Sequence, residues 1–357
     1  MPSEDTTPIK LTPAKTGTQG HDVFDGSDNP QDVRPALTAI IQKIENEVSQ
    51  LEDGQKLIIF YGEDHASHLD HFLEAAIATA LDKKFSNRLM LGLEIASESR
   101  NTESLSTNFN RYTSGYYADI LLEKGITACS GDVKSKVNPY GPMIDQSDPN
   151  IRNFITEHYP DYLDKLLDVG SPKGIEIRNS FMIHKVLEYA YAEDNNHDVI
   201  FFPVGQAHII GKFTDDGVAA AMQDIMLEMD DIDESELEDT REDAPYSQSL
   251  CAFAAKNVRE PRVLSIMTLG DTPQDNDYVL EKAQEHTGPI LFLKGLDSRA
   301  SESVITDNLE DKPEQLKQFI EERNRATMEE GHKVATELWN ASGGQAGIGL
   351  PKPPPPT

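Results

Sequence analysis

Four short motifs in this chain end on residues that can move protons or bind ions. Gly62-Glu63-Asp64-His65 follows one apolar run and Glu94 closes a second. Asp132 follows a third within SGDVK, and His208 ends VGQAH after a fourth. Two carboxylates and two imidazoles brought together support either of two chemistries. They can hold a divalent metal (zinc, manganese or iron) whose bound water becomes acidic enough to attack an acyl group, with His65, Glu94 and His208 as the candidate ligands. Without metal, His65 is the natural general base, Glu63 and Glu94 are its partners, and His208 completes the site. Arg178 offers a planar fork for a carboxylate or an oxyanion; its alternative role is a salt bridge to one of the many acidic groups. Asp132, beside a glycine, is equally at home in a turn. His68 and His71 continue GEDHASHLDH at intervals of three. Asp64 or Ser67 is placed to cap a helix there, so His68 stays within reach of the site while His71 packs or faces solvent.

Residues so far apart in sequence meet only if the elements before them converge. LIIFY (57–61), LMLGLEI (89–95), ITACS (126–130) and VIFFPV (199–204) are short apolar runs of strand length, each ending in a polar turn. RVLSIMT (262–268) and PILFL (289–293) are further strand candidates. Three-four spacing of Leu37, Ile40, Ile41, Ile44, Val48 and Leu51 predicts a helix closed by Gly54. Helical patterns recur over 68–83, 151–168, 175–193 and 312–340, the last highly charged until Val334, Leu338 and Trp339. Continuous apolar strands alternating with helices predict an α/β fold, a mainly parallel sheet with helices on both faces. Parallel strands put all four motifs at one edge, where ligands bind in such sheets. Gly62, Gly92, Gly131, Gly205 and Gly211 stand where backbone must turn or a neighbour must approach closely.

The order GEDH after a strand, GLE at the end of the next and VGQAH after a later one resembles the superfamily of erythromycin esterases, ChaN-like iron-uptake proteins and TIKI/TraB proteins. Gly62, Glu63 and His65 are closest to the ChaN-like branch, and Glu94 and Gly205 to His208 match the family's glutamate and its later Gly-x-x-His. Arg178 and Met182 in IRNSFMI match a helix that precedes the last motif in TIKI/TraB-like members. The match points span residues 55 to 215, and the glutamate of GEDH stands two residues before the histidine where the esterase branch places it three before. The resemblance implies a hydrolase of ester or amide bonds acting on a small molecule or peptide. Its ChaN-like side implies instead a haem- or iron-binding protein, with Tyr116, Tyr117 and Tyr140 as candidate haem contacts. A third reading is a non-catalytic effector or interaction protein.

Composition narrows the partners. Sixty-two acidic against 32 basic residues give a formal net charge of −30, a field that repels nucleic acid and anionic membranes. No apolar run approaches the roughly 18 residues of a spanning helix and the start lacks a signal-peptide pattern, so a cytoplasmic location is expected, with export lacking a cleaved signal still open. Cys129 and Cys251 sit beside apolar segments and are expected as buried thiols rather than a disulfide. Residues 1–33 are expected to be disordered for want of large apolar groups, and 34–340 to form a single α/β domain. An acidic loop is expected at 228–243. The Gly/Pro-rich tail at 341–357 is a candidate ligand for a proline-binding module.

Overall fold

The computed structural model describes residues 11–13, 21–63, 67–94, 121–138, 141–193, 195–210, 249–269, 279–280, 283, 286–297 and 313–344. His65, Tyr116, Tyr117, Tyr140, the acidic segment 228–243 and the proline tail from residue 345 onward lie outside the described residues.

Strands β3 (Leu57–Glu63) and β8 (Val199–Gly205) are buried at every position, as expected of continuous apolar runs in the middle of a sheet covered on both faces. They are neighbours in an eight-stranded sheet whose other members are β1 (Thr12–Pro13), β2 (Asp22–Asp25), β4 (Leu89–Leu93), β5 (Ala128–Ser130), β9 (Arg262–Thr268) and β10 (Ile290–Lys294). The order is β1-β2-β10-β9-β3-β8-β4-β5, and every neighbouring pair is parallel except β1 with β2. The protein is thus an α/β structure on a mainly parallel sheet.

Side-chain alternation sorts the core into two clusters. Leu57, Ile59 and Tyr61, with Leu89, Leu91, Val199 and Phe201, pack against helices α1 (Arg34–Val48), α2 (His68–Phe85) and α7 (Pro313–Ala341). Ile58, Phe60, Met90, Ile200 and Phe202 face the other way, against α4 (Pro172–Ala190), α5 (Ala207–Ile210) and α6 (Leu250–Ala255). The chain therefore leaves β3 through α2 on one face and leaves β8 through α5 and α6 on the other. Adjacent strands whose connections diverge in this way flank a crevice at their carboxyl ends. Glu63 and Gly205 are directly in register there. Beside β8, a Cβ at Gly92 would stand 2.5 Å from the Phe202 ring, so the close strand–side-chain contact requires glycine.

Helix α2 is buried almost all round because α7 lies along it. Gly331 of α7 packs on the backbone at Phe72, where any side chain would clash, and His332 bonds the hydroxyl of Thr79. His71, expected to pack or face solvent, is buried, as are Asp70 and Glu74.

Two expectations need correction. Residues 22–25 form a parallel strand on β10, with His21, Phe24 and Val33 buried, so the disorder expected through residue 33 does not extend over 21–33. Phe24 and Val23 pack on opposite faces, and backbone pairing with β1 and β10 holds so short a strand. The helix expected over 151–168 is α3 (Pro149–His158); Pro160 cannot donate a backbone hydrogen bond and opens a short 3-10 turn instead. An unexpected hairpin, β6 (Ser135–Asn138) and β7 (Gly141–Ile144), joins α3 over a small satellite core containing Ile144, Phe154, Ile177 and Phe181. Cys129 and Cys251 are buried thiols that form no disulfide, as expected. No helix among the described residues is long and apolar enough to cross a membrane.

Candidate functional site

Glu94 follows β4 with the parity of Met90 and Gly92, opposite to Leu89, Leu91 and Leu93, and so turns toward α4. Arg178, on the second turn of that helix, meets it. Ser171 caps α4 by accepting from Gly174 N–H, and Pro172 starts it. The Arg178 fork donates from Nε and Nη2 to both oxygens of Asp132, at 3.1 and 2.7 Å. Nη2 also donates to Glu94 Oε1 at 2.9 Å, and Nη1 to the Val169 carbonyl at 3.2 Å. Burial alone would lower the Arg178 pKa; the charges and hydrogen bonds of Asp132, then of Glu94, outweigh it and hold the guanidinium firmly charged. Bidentate pairing of this kind is the stronger class of ion pair.

Glu94 is the node of the cluster. Its Oε2 accepts from the Gly205 backbone N–H at 2.9 Å, which ties the end of β4 to the end of β8. Its Oε1 faces His208 Nε2 at 3.1 Å as well as Arg178. His208 stands on α5, one turn beyond β8, and is buried. Asn179, next to Arg178, fixes the ring. Its Nδ2 donates to the His208 carbonyl at 3.4 Å, which turns Oδ1 toward the ring to accept from Nδ1–H. Nδ1 is thus engaged by Asn179, and Nε2 is the ring nitrogen that faces Glu94 Oε1.

Glu63 ends β3 with the parity of Leu57, Ile59 and Tyr61, and so turns to the opposite face, toward α2. There Asp70 accepts from the Tyr61 hydroxyl at 2.6 Å and from the Thr268 hydroxyl at 2.8 Å. Burial, then the neighbouring Asp70 carboxylate, pushes the Tyr61 pKa well above the ordinary range. Of the residues expected to form one cluster, the structure brings Glu94, Arg178 and His208 into contact, together with Asp132. It sets Glu63 across the sheet edge from them. Asn179, Asp70 and Glu74 were missed; the four-residue spacing of Asp70 and Glu74 in a helix was the available signal.

A metal fits the described donors poorly. An ion bound by Glu94 and His208 would lie against the Arg178 guanidinium, which already occupies the same carboxylate oxygen. Among the described residues no group of three or more ligating side chains has metal-binding geometry. Two other features do not compete with this site. A cleft of about 380 Å³ opens at the amino ends of the strands, lined in part by Lys56 and by an Arg88–Asp198 ion pair. Behind β9, Cys251, Ser265 and His286 form a buried chain, Sγ to Oγ at 3.2 Å and Oγ to Nε2 at 3.3 Å. Burial pushes the Cys251 thiol up to about 12, so this chain is structural rather than nucleophilic.

That chain carries a prediction. Burial lowers His286 to about 4 from an ordinary 6.5, so the ring is neutral in the folded protein and the unfolded chain binds the extra proton. Stability is full above pH 6.5 and is lost as pH falls toward 4, by about 3 kcal/mol from this group. Urea unfolding of wild type and His286→Gln at pH 4.5 and 7 checks this, with a smaller pH difference expected in the variant.

Searches of protein-family models, of curated proteins and of solved structures returned no match to this chain.

Proposed function

We propose that the protein hydrolyses ester or amide bonds by general acid–base chemistry at the carboxyl edge of its sheet, on a fold of the erythromycin esterase/ChaN type. The observation that carries this reading is the placement of His208 Nε2 against Glu94 Oε1 at 3.1 Å, with the ring locked by Asn179 and the carboxylate held by Arg178. A base oriented by hydrogen bonds on its far side is the recurrent arrangement of hydrolytic sites. Here the far side is Asn179, and Glu94 stabilises the charge that appears on the ring when it takes a proton. In the reaction, a water oxygen adds to the acyl carbon while the His208–Glu94 pair takes one of its protons. The C–O or C–N bond then breaks, and one proton goes to the leaving oxygen or nitrogen.

The donor set supports the metal-free form of this chemistry over a zinc, manganese or iron centre. Incubation with a panel of small esters, amides and peptides, with and without a chelator, tests the reading. Turnover that survives the chelator is the expected result; turnover abolished by it and restored by a divalent metal would replace Arg178 with an ion as the site's positive charge.

A further inference from the structure

Strands β1 and β2 join the rest of the sheet through one seam, the parallel pairing of β2 with β10. Two histidines meet where that seam begins. His21, immediately before β2, and His286, shortly before β10, stand edge to face with ring centroids 6.2 Å apart, and are 1% and 9% exposed. Both bond the same acceptor, the Gly288 carbonyl, His21 through Nε2 at 3.1 Å and His286 through Nδ1 at 3.3 Å. A carbonyl oxygen only accepts, so each ring presents an N–H to it. In the neutral His286 ring Nε2 is then the acceptor for the Ser265 hydroxyl at 3.3 Å, and Ser265 meets the Cys251 thiol at 3.2 Å. The Phe292 ring of β10 packs edge to face on His21 at 6.3 Å.

This arrangement suits neutral imidazoles. A further proton on His286 would sit on Nε2 and reverse the Ser265–Cys251 chain, which would then end on sulfur, a weak acceptor. Charging both rings would bury two cations 6.2 Å apart. Among the described residues, the charges that bear on His21 are Asp22 beside it and Lys43 of α1, and these two are bonded to each other at 2.8 Å. From β9 the pair meets the Ser265 hydroxyl, from α6 the Cys251 thiol and from β10 the Phe292 ring, all uncharged. Burial is the largest influence on each ring; it lowers His21 below the ordinary 6.5 and His286 to about 4, and a charged His21 lowers His286 further.

We propose that the His21–His286 pair is an acid-sensitive latch: with both rings neutral it holds β2 against β10, and protons taken up by the two rings release β2, together with β1, from the sheet. Lifting β2 breaks a ladder of four residue pairs and withdraws only Val23 and Phe24 from the core. Segments with so few buried contacts open at a fraction of the cost of global unfolding. Once β2 has left, His21 is in water and His286 has lost its cover, so both regain an ordinary affinity for protons. The edge of β10 is then unpaired. Because the docked rings are neutral and the released rings bind protons, docking is fully favoured above pH 6.5 and weakens as pH falls from 6.5 toward the docked values. The upper part of this window lies above the range in which Asp22 and Asp25 would titrate, which leaves the histidines as the groups that respond there.

Amide hydrogen exchange of the full chain, read by mass spectrometry and corrected for the pH dependence of the intrinsic rate, tests the latch. Between pH 6.5 and 5 the opening constant of segment 22–25 should rise on the order of a hundredfold as two protons are taken up, while β3 and β8 show no such rise. Gln at either position keeps an N–H for the Gly288 carbonyl and removes the titrating ring. His21→Gln and His286→Gln should therefore each cut the rise to about tenfold, the response to one proton, and the double variant should abolish it. Protection of segment 22–25 that does not change with pH would overturn the proposal. So would an equal rise in β3 and β8, which would mean global unfolding, or a double variant that keeps the wild-type rise. Should the double variant fail to fold, the single variants decide, and a full wild-type rise in either would overturn the proposal.

Discussion

Replacing Arg178 with Ala should destabilise the protein by about 3–5 kcal/mol, the range for removing one partner of a buried ion pair and leaving the other uncompensated. Here two carboxylates are left, since the guanidinium joins Asp132 and Glu94, whose side chains are 9% and 8% exposed. The Val169 carbonyl also loses its partner. Against a typical total margin of about 5–15 kcal/mol, such a loss brings the variant close to unfolding at room temperature. Arg178→Lys keeps the charge but not the fork, cannot bond both Asp132 oxygens and Glu94 together, and should recover only part of the loss. Denaturant midpoints of the three proteins check this order. A cost below 1 kcal/mol for Arg178→Ala would mean that the cluster is solvated and that Arg178 does not organise it.

The largest effect on activity is expected from the residues that exchange the proton. His208→Ala and Glu94→Gln should each lower kcat by about 10²–10⁴, the usual contribution of a positioned acid or base, while the fold is kept. Gln at position 94 preserves shape and can still accept from Gly205 N–H, so β4 and β8 stay tied. What it loses is the charge that faces Nε2 and Arg178. His208→Ala removes one hydrogen bond from Asn179 Oδ1, at a cost of about 0.5–1.5 kcal/mol, which is survivable. Steady-state rates with circular dichroism of each variant separate lost chemistry from lost structure.

The strands were legible because each central one is a continuous apolar run, and a period-independent burial pattern in a run of five to seven residues leaves few alternatives to a covered parallel strand. Their carboxyl ends could therefore be read as one edge. Which face each side chain takes was also written in the sequence, in the period of two: Glu63 shares the parity of Leu57, Ile59 and Tyr61, while Glu94 opposes that of Leu89, Leu91 and Leu93. Counting outward from the apolar positions would have divided the expected cluster in two. Other features had no local signal. DVFD offers the core only Val23 and Phe24, and SKVN and GPMI carry too few apolar residues to announce a hairpin. Glu74 reads as an ordinary acid within a helix until α7 covers that helix and the side chain is found buried. Asn179 gains its role only from α5, which the sequence does not mark as a helix. Such roles depend on contacts between distant segments, and a pattern confined to one segment does not carry them.

The central claim is that Glu94 and His208 form one proton-exchanging unit, and the most direct measurement is kcat/KM for wild type, Glu94→Gln, His208→Ala and the double variant on one turned-over ester. Members of a catalytic unit are strongly non-additive, because the second loss removes a function that the first has already disabled. The account predicts that the double variant is about as slow as the slower single variant. A double variant slowed by the product of the two single effects would show that the two residues act independently, and would contradict it.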